Sequence, residues 1–228
     1  MIKVRRIMAG QNKGKSLMKY VPDYVVFDLE TTGLSPIKDD IIELSALLVK
    51  EGNVTDTFST LVNPGRSIPA SASRINGITN DMVADAPAIE TVMTNFMEFS
   101  RCQILVGHNI KSFDLKFLNC VSERLFGTEI ENDYIDTLYM SRSFLPQLRS
   151  HKLVDISAHF NISSEGAHRA LNDCIMNQKC FEAMGKLQET VKIEVCPRCQ
   201  GELRKRSGKF GEFWGCGNYP DCRYTRNV

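Results

Sequence analysis

The chain has 228 residues, 43% hydrophobic and 24% charged, with a formal net charge of +1. That balance belongs to an ordinary folded protein and excludes bulk disorder, collagen-like and coiled-coil classes. No apolar run approaches the roughly 18–20 residues of a membrane span. The N-terminus lacks the apolar stretch of a secretory signal, so a reducing, cytoplasmic setting away from membranes is expected.

In chain order, residues 1–19 carry six basic residues and no acid. This basic arm reads either as a solvated tail or as a contact for a polyanion. Tyr-Val-Val-Phe-Asp-Leu-Glu (24–30) is β-branched and aromatic and is followed by Thr-Thr-Gly, which predicts a strand. Residues 41–50 and 54–63 predict two more. They are joined through Glu51, Gly52 and Asn53, where Gly and Asn suit the positive φ of a hairpin turn. Ile89, Val92, Met93 and Phe96 recur at helical spacing over 87–100. Residues 103–109 read as a buried strand. Phe113, Phe117, Cys120, Val121 and Leu125 give the next helix its apolar face. Another helix carries Leu153, Ile156 and Phe160, and a last one spans about 169–184. A meander followed by alternating helices and strands predicts an α/β domain with a mixed sheet. Cys102, Cys120, Cys174 and Cys180 sit among apolar neighbours and are expected to be buried small hydrophobes.

The chemistry starts at Asp28-Leu29-Glu30. Residues i and i+2 of a strand share a face, so the two carboxylates project together while Phe27 and Leu29 point the other way. Adjacent carboxylates at a buried strand end repel and need a cation or a proton. Mg²⁺ or Mn²⁺ is the natural partner, because hard cations take oxygen ligands. Alone, the pair is weak evidence, and two exposed acids at a strand end are the commoner case. Two later segments add to it. Gly107-His108-Asn109 runs through Phe113 to Asp114 in the first turn of a helix, where an acid also suits the helix dipole. His168-Arg169-Ala170-Leu171-Asn172-Asp173 puts a histidine at a helix start and an acid inside that helix.

Together these residues resemble the DEDDh family of 3′→5′ exonucleases, which includes the proofreading epsilon subunit of bacterial replicative DNA polymerase. Phe27 through Gly33, Gly107 through Asp114 and His168 through Asp173 match its three motifs in order, across about residues 24–183. The resemblance implies a ribonuclease H-like mixed sheet flanked by helices, and hydrolysis of a phosphodiester at a 3′ end by a two-metal mechanism. It implies that Asp28 bridges two Mg²⁺ or Mn²⁺ ions. Glu30 and Asp173 would hold the ion that carries the attacking water, and Asp114 would support the other. His168 would be the general base, as its near-neutral pKa suits. Thr31, Thr32 and Gly33 would receive the terminal nucleotide, with Asn109 and Phe113 as further substrate contacts, though Phe113 reads equally as core. Asn76 stands where the family often has His, so a substrate contact there is expected to differ.

Residues 191–228 hold eight basic and four acidic residues, whereas 20–190 hold 14 basic and 23 acidic. Cys196-Pro-Arg-Cys199 is followed by Cys216 and Cys222. Two close pairs of thiolates predict one structural tetrahedral Zn²⁺. Two disulfides or a redox pair are the alternatives, and both suit a reducing compartment poorly. About 35 residues are too few for a self-sufficient apolar core, so the metal would supply the stability. The segment resembles the C-terminal zinc-ribbon repeats of bacterial type IA DNA topoisomerases, which bind single-stranded DNA. Arg204, Lys205, Arg206 and Lys209 would meet phosphates. Phe210, Phe213, Trp214, Tyr219 and Tyr224 would offer stacking surfaces, with at least two of the five expected in the mini-domain core.

The expected organisation is a basic arm (1–19), an exonuclease domain (20–187) and a zinc-ribbon (192–228). The expected activity is 3′→5′ hydrolysis of single-stranded DNA, with a polymerase or repair complex as a possible partner. The rival readings are the same chemistry on RNA and a non-catalytic nucleic-acid-binding scaffold.

Overall fold

Thr-Thr-Gly ends the first strand where expected: β1 is Tyr24–Thr31, followed by β2 (Ile41–Lys50) and β3 (Asn53–Leu61). The computed structural model describes residues 14–188, 191, 193–209 and 211–228. The turn between β2 and β3 differs from expectation. Glu51 (φ 50°) and Gly52 (φ 76°) take the left-handed conformations, and Asn53 already belongs to β3. Two consecutive positive φ values are what a tight hairpin needs to match strand twist.

The chain continues through α1 (Ala70–Asn76), α2 (Asn80–Val83), α3 (Ile89–Phe99), β4 (Leu105–Gly107) and α4 (Asp114–Phe126). It then forms β5 (Tyr134–Asp136), α5 (Thr137–Phe144), α6 (Leu153–His159) and α7 (Ala170–Leu187). The predicted strand at 103–109 shortens to three residues: Gln103 still belongs to the turn after α3, donating its N–H to the Ser100 carbonyl (3.1 Å), and Asn109 turns away at φ 63°. The sheet order is β3-β2-β1-β4-β5. β1 pairs antiparallel with β2 and parallel with β4, and β4 pairs parallel with β5. The fold is the expected mixed α/β sheet with helices on both faces.

Strand alternation in β1 divides the core. Val25, Phe27 and Leu29 face the cluster built with Val92, Met93 and Phe96 of α3 and Phe117 and Leu118 of α4. Tyr24 and Val26 face the opposite cluster, with Met140 of α5, Ile156 of α6 and Phe181 of α7. Asp28 and Glu30 lie on this second face, beyond the apolar residues, at the C-terminal end of the strand. Burying a side chain such as Phe96 or Phe181 contributes about 1.5–3 kcal/mol. Cys174 and Cys180 are buried and Cys120 is half-buried. Cys102 corrects the expectation: it is exposed, at φ 60° in the turn after α3. The chain reverses there between α3 and β4, and Cys102 belongs to none of the buried clusters.

The C-terminal segment forms a separate antiparallel sheet of β6 (Leu203–Gly208), β7 (Gly211–Cys216) and β8 (Thr225–Asn227). Of the basic arm, Lys3, Arg5, Arg6 and Lys13 lie outside the described residues. The part that follows is docked and is no solvated tail. Tyr134 donates its N–H to the Lys15 carbonyl (2.9 Å), and Leu17 donates to the Tyr134 carbonyl (2.8 Å). Ser16 thereby extends the sheet beyond β5 as a parallel bridge. Leu17 and Met18 are buried. The same segment holds the small sheet: Met18 N–H donates to the Gln200 carbonyl (3.0 Å), and the Asn218 amide donates to the Ser16 carbonyl (2.8 Å). No helix among the described residues is long and apolar enough to cross a membrane.

Candidate active site and nucleic-acid interface

β1 and β4 run parallel, so the loops that follow them emerge at one end of the sheet. That end of an α/β sheet is where ligands commonly bind. β1 delivers Asp28 and Glu30 there, and α7 packs alongside with Asp173 in its first turn. One carboxylate oxygen from each of these three residues lies within 4.8 Å of the others. Asp114 begins α4 and is 3% exposed. It stands outside that trio, but its carboxyl group is hydrogen-bonded to the Leu29 backbone and raises the pKa of Asp28. Three distant stretches of sequence thus bring four acids to one strand end.

The electrostatics of the group are those of a site short of positive charge. Burial raises the Asp28 pKa well above the carboxylate range, and Asp114, Asp173 and Glu30 add to the shift. Burial, then Asp173 and Glu43, pushes Glu30 up to about 8. Burial pushes Asp114 up to about 7. Among the described residues no basic side chain forms an ion pair with any of the four. Oxygen donors in this number, close together and without an ion-paired cation among the described residues, fit a divalent metal.

His168 sits just outside α7 in the left-handed region (φ 69°) and is exposed. Its N–H donates to Asp173 Oδ2 (3.1 Å), which fixes the loop to a carboxylate of the trio. The side chains of Thr31 and Thr32 shape their own loop. Thr31 Oγ1 donates to the Gly33 carbonyl (2.6 Å), and Thr32 Oγ1 accepts from Asp40 N–H (2.9 Å). A Cβ at Gly33 would fall 2.5 Å from the Asp39 carboxyl, so the missing side chain makes room for Asp39. Asn109 donates its N–H to Asp136 Oδ1 (2.9 Å). Phe113 packs on Phe117 with ring centroids 5.0 Å apart and belongs to the edge of the core.

Three further residues organise the site. Glu43, 4% exposed in β2, accepts from Arg169 Nη2 (2.7 Å), Arg169 Nε (3.2 Å) and Ala170 N–H (3.1 Å). It therefore ties the sheet to the residue that follows His168. Its sequence signal is a lone acid in a largely apolar strand, Ile41-Ile42-Glu43-Leu44. Asp136 accepts N–H groups from Asn109, Lys111 and Leu138, and so shapes the loop that leads to Asp114. Asn76 is buried; its side chain hydrogen-bonds Glu30 and partly offsets the upward shift there.

In the small sheet, the sulfurs of Cys196, Cys199, Cys216 and Cys222 lie within 4.8 Å of one another. The Cys196–Cys222 and Cys199–Cys216 separations are 3.6 and 3.4 Å. These are far beyond a disulfide bond of about 2.05 Å. They approach the separation of about 3.8 Å expected for tetrahedral zinc–sulfur bonds of about 2.3 Å. Asn218 donates its N–H to Cys216 Sγ and its amide to Cys199 Sγ, both at 3.4 Å, as donors to a thiolate would. The donor set fits zinc. Trp214 and Tyr224 pack against the cysteines, which makes two of the five aromatics core. Phe210 lies outside the described residues. Phe213 and Tyr219 line a cavity of about 250 Å³ together with Arg206 and Arg223. Arg204 pairs with Glu202 (2.6 Å) and lies over the Tyr139 ring at 4.6 Å, so it braces the small sheet against α5. Lys205 pairs with Glu212 (2.6 Å).

Residues 25–181 match the family described as Exonuclease (RNase_T). The chain belongs to the Exonuclease family. Residues 193–228 match the topoisomerase DNA-binding C4 zinc finger. The Exonuclease domain implies dependence on a divalent metal, and the C4 finger implies zinc. Among relatives, the DNA polymerase III epsilon subunit of Aquifex aeolicus is 38% identical over 158 residues, covering 69% of this chain and 78% of its own length. The PolC-type DNA polymerase III of Caldanaerobacter subterraneus is 39% identical over 177 residues, 77% of this chain and 12% of its own. The chain therefore spans about a tenth of the PolC-type relatives that it matches. Exonuclease X, solved with 5′-overhanging duplex DNA, is similar with a TM-score of 0.58 and 27% identity, covering 73% of this chain and 92% of that one. Escherichia coli exonuclease I, solved with a dT13 oligonucleotide, shares the fold with a TM-score of 0.68 at 17% identity, covering 89% of this chain and 54% of that one.

Proposed function

We propose that this chain is a metal-dependent 3′→5′ exonuclease that removes nucleotides from single-stranded DNA, with the C-terminal zinc-ribbon gripping the strand. The observation that carries the reading is the convergence of Asp28, Glu30 and Asp173 within 4.8 Å, with Asp114 beside them. These four acids would hold two Mg²⁺ or Mn²⁺ ions. When bound, such ions activate water and stabilise the charge that develops on the phosphoryl oxygens. The cysteine quartet would hold one structural Zn²⁺.

The chain's own residues would do the rest. The imidazole of His168 takes a proton from the attacking water, and the Glu43–Arg169 pair and the Asp173 carboxylate hold the loop from which it acts. The loop from Thr31 to Gly33 seats the terminal nucleotide, with Asn109 and Phe113 flanking it. On the ribbon, Phe213 and Tyr219 offer stacking faces between Arg206 and Arg223. Residues 20–187 form the catalytic unit and 192–228 the ribbon. The names of the relatives favour DNA, the cytoplasm, and work beside a replicative polymerase.

The test is release of mononucleotides from a 3′-labelled single strand in Mg²⁺ or Mn²⁺. Release that stops with EDTA supports the reading, and absence of release from both DNA and matched RNA rejects it. Faster release from RNA would reverse the assignment of substrate.

A further inference from the structure

A second cavity opens at the same end of the sheet as the acids. It measures about 480 Å³ and is lined by His108, Asn109, Arg142, Arg149, His151 and Lys152, among others. β4 and β5 run parallel to β1, and His108 and Asn109 directly follow β4. The cavity thus neighbours the second motif, which leads on to Asp114.

Its charge sets it apart. Arg142, Arg149 and Lys152 supply three cations, and among the described residues no carboxylate lines the cavity. None of the three is ion-paired with an acid among the described residues. Two larger cavities differ. The one of about 670 Å³ below α3 includes Glu129, Glu131 and Asp133, and the one of about 590 Å³ between α4 and the ribbon includes Glu123, Glu129 and Asp221. The ring atom Nδ1 of His151 is buried with no hydrogen-bond partner among the described residues, which an incoming acceptor or donor would satisfy. His108 is held by Thr137 Oγ1 at 3.1 Å. Burial pushes its pKa down to about 4, so it contributes a neutral ring.

We propose that this cavity is a subsite for the phosphodiester backbone of the substrate strand, 5′ of the bond that is cut. The proposal rests on the exonuclease reading above. An acid-lined centre repels a polyanion. Three cations with no acid partner among the described residues, one of them (Arg142) lying over the Tyr139 ring at 5.6 Å, provide attraction where the remainder of the strand must pass, and backbone contacts of this kind need no base identity. The occupant is the strand that is being cut, because the cavity shares its end of the sheet with the acids.

The experiment compares kcat/KM for a dinucleotide and for a strand of about 20 nucleotides, in the full chain and in the triple variant Arg142→Gln/Arg149→Gln/Lys152→Gln. The ratio of long to short should fall at least about tenfold. The slope of log(kcat/KM) for the long strand against log[salt] should lessen by about 2, at about 0.7 for each phosphate no longer neutralised. The charge-keeping variant Arg142→Lys/Arg149→Lys should restore most of the ratio. A ratio within about twofold of the original overturns the subsite, whether both substrates are unaffected or both decline together, since a fold defect or a site for free phosphate leaves length dependence intact. A wild-type chain that cuts neither substrate overturns the exonuclease reading itself, and the subsite with it. An active wild-type chain with an unchanged ratio sinks the subsite alone.

Discussion

Asp28 is half-buried, and four other carboxylates, Asp114, Asp173, Glu30 and Glu43, act on it. Its charge is a cost to the fold that a bound cation removes. Asp28→Asn keeps the shape and deletes the charge. It should abolish turnover and, without added divalent metal, raise the melting temperature by about 2–4 °C for each kcal/mol of repulsion relieved. Activity assays and melting curves check both; retained turnover removes Asp28 from the metal site. His168→Ala should slow turnover about 10²–10⁴-fold if the imidazole is the general base, and a loss under about threefold rejects that role. Most of the candidate site was legible at this scale, because acids in apolar strands and helix starts stand out against their neighbours. Glu43 carried the same signal as Asp28 and went unread, since its partner Arg169 lies 126 residues away. The Asn76 contact with Glu30 was half-legible: a substitution at that position was visible in the sequence, but its target was not.

Among the elements, α7 does most to link the fold to the site. Its far end is tied to the start of β1, where the Tyr24 hydroxyl donates to Glu182 Oε1 (2.7 Å) and the Tyr20 hydroxyl to Oε2 (2.8 Å). Tyr24 is fully buried, with its ring edge-on to Phe181 at 4.9 Å between centroids. Tyr24→Phe keeps the ring and removes one donor to a charged group, which costs about 1.5–3 kcal/mol. The melting temperature should fall by about 3–12 °C. Turnover should be unchanged, because the bond lies at the opposite end of β1 from the acids. No change in melting would show that the Glu182 contact is dispensable. The long elements were readable from period: β1 and β2 from β-branched runs, α3 and α4 from apolar residues three and four apart. α1, α2, β5 and α5 were not. Three residues such as Tyr134–Asp136 are too few to establish a period, and β5 exists because β4 and the docked N-terminal segment pair with its two edges.

Over the whole molecule, the join between the two units was the least legible feature. It is made chiefly by backbone groups of residues 15–18, and backbone hydrogen bonds leave no side-chain signature in a sequence. Arg204 stacked on Tyr139 and Lys111 Nζ donating to the Gly217 carbonyl (3.4 Å) add to it. The zinc quartet, by contrast, was plain from spacing. Among its described residues the ribbon has three buried apolar-cluster residues, two of which are cysteines. So small a core cannot offset the entropy of ordering some 35 residues, whereas zinc binding by such sites is worth about 10–16 kcal/mol. The chain has one tryptophan, Trp214, and it packs against the cysteine cluster. Its fluorescence therefore reports on the ribbon alone, while the helical far-UV signal reports on the other unit. Stripping zinc should move Trp214 emission toward that of free tryptophan and leave most helical signal in place. One equivalent of Zn²⁺ should reverse the change. Emission that ignores metal removal would mean that the four thiols hold their sheet together without an ion, and the stability argument for the ribbon would fail.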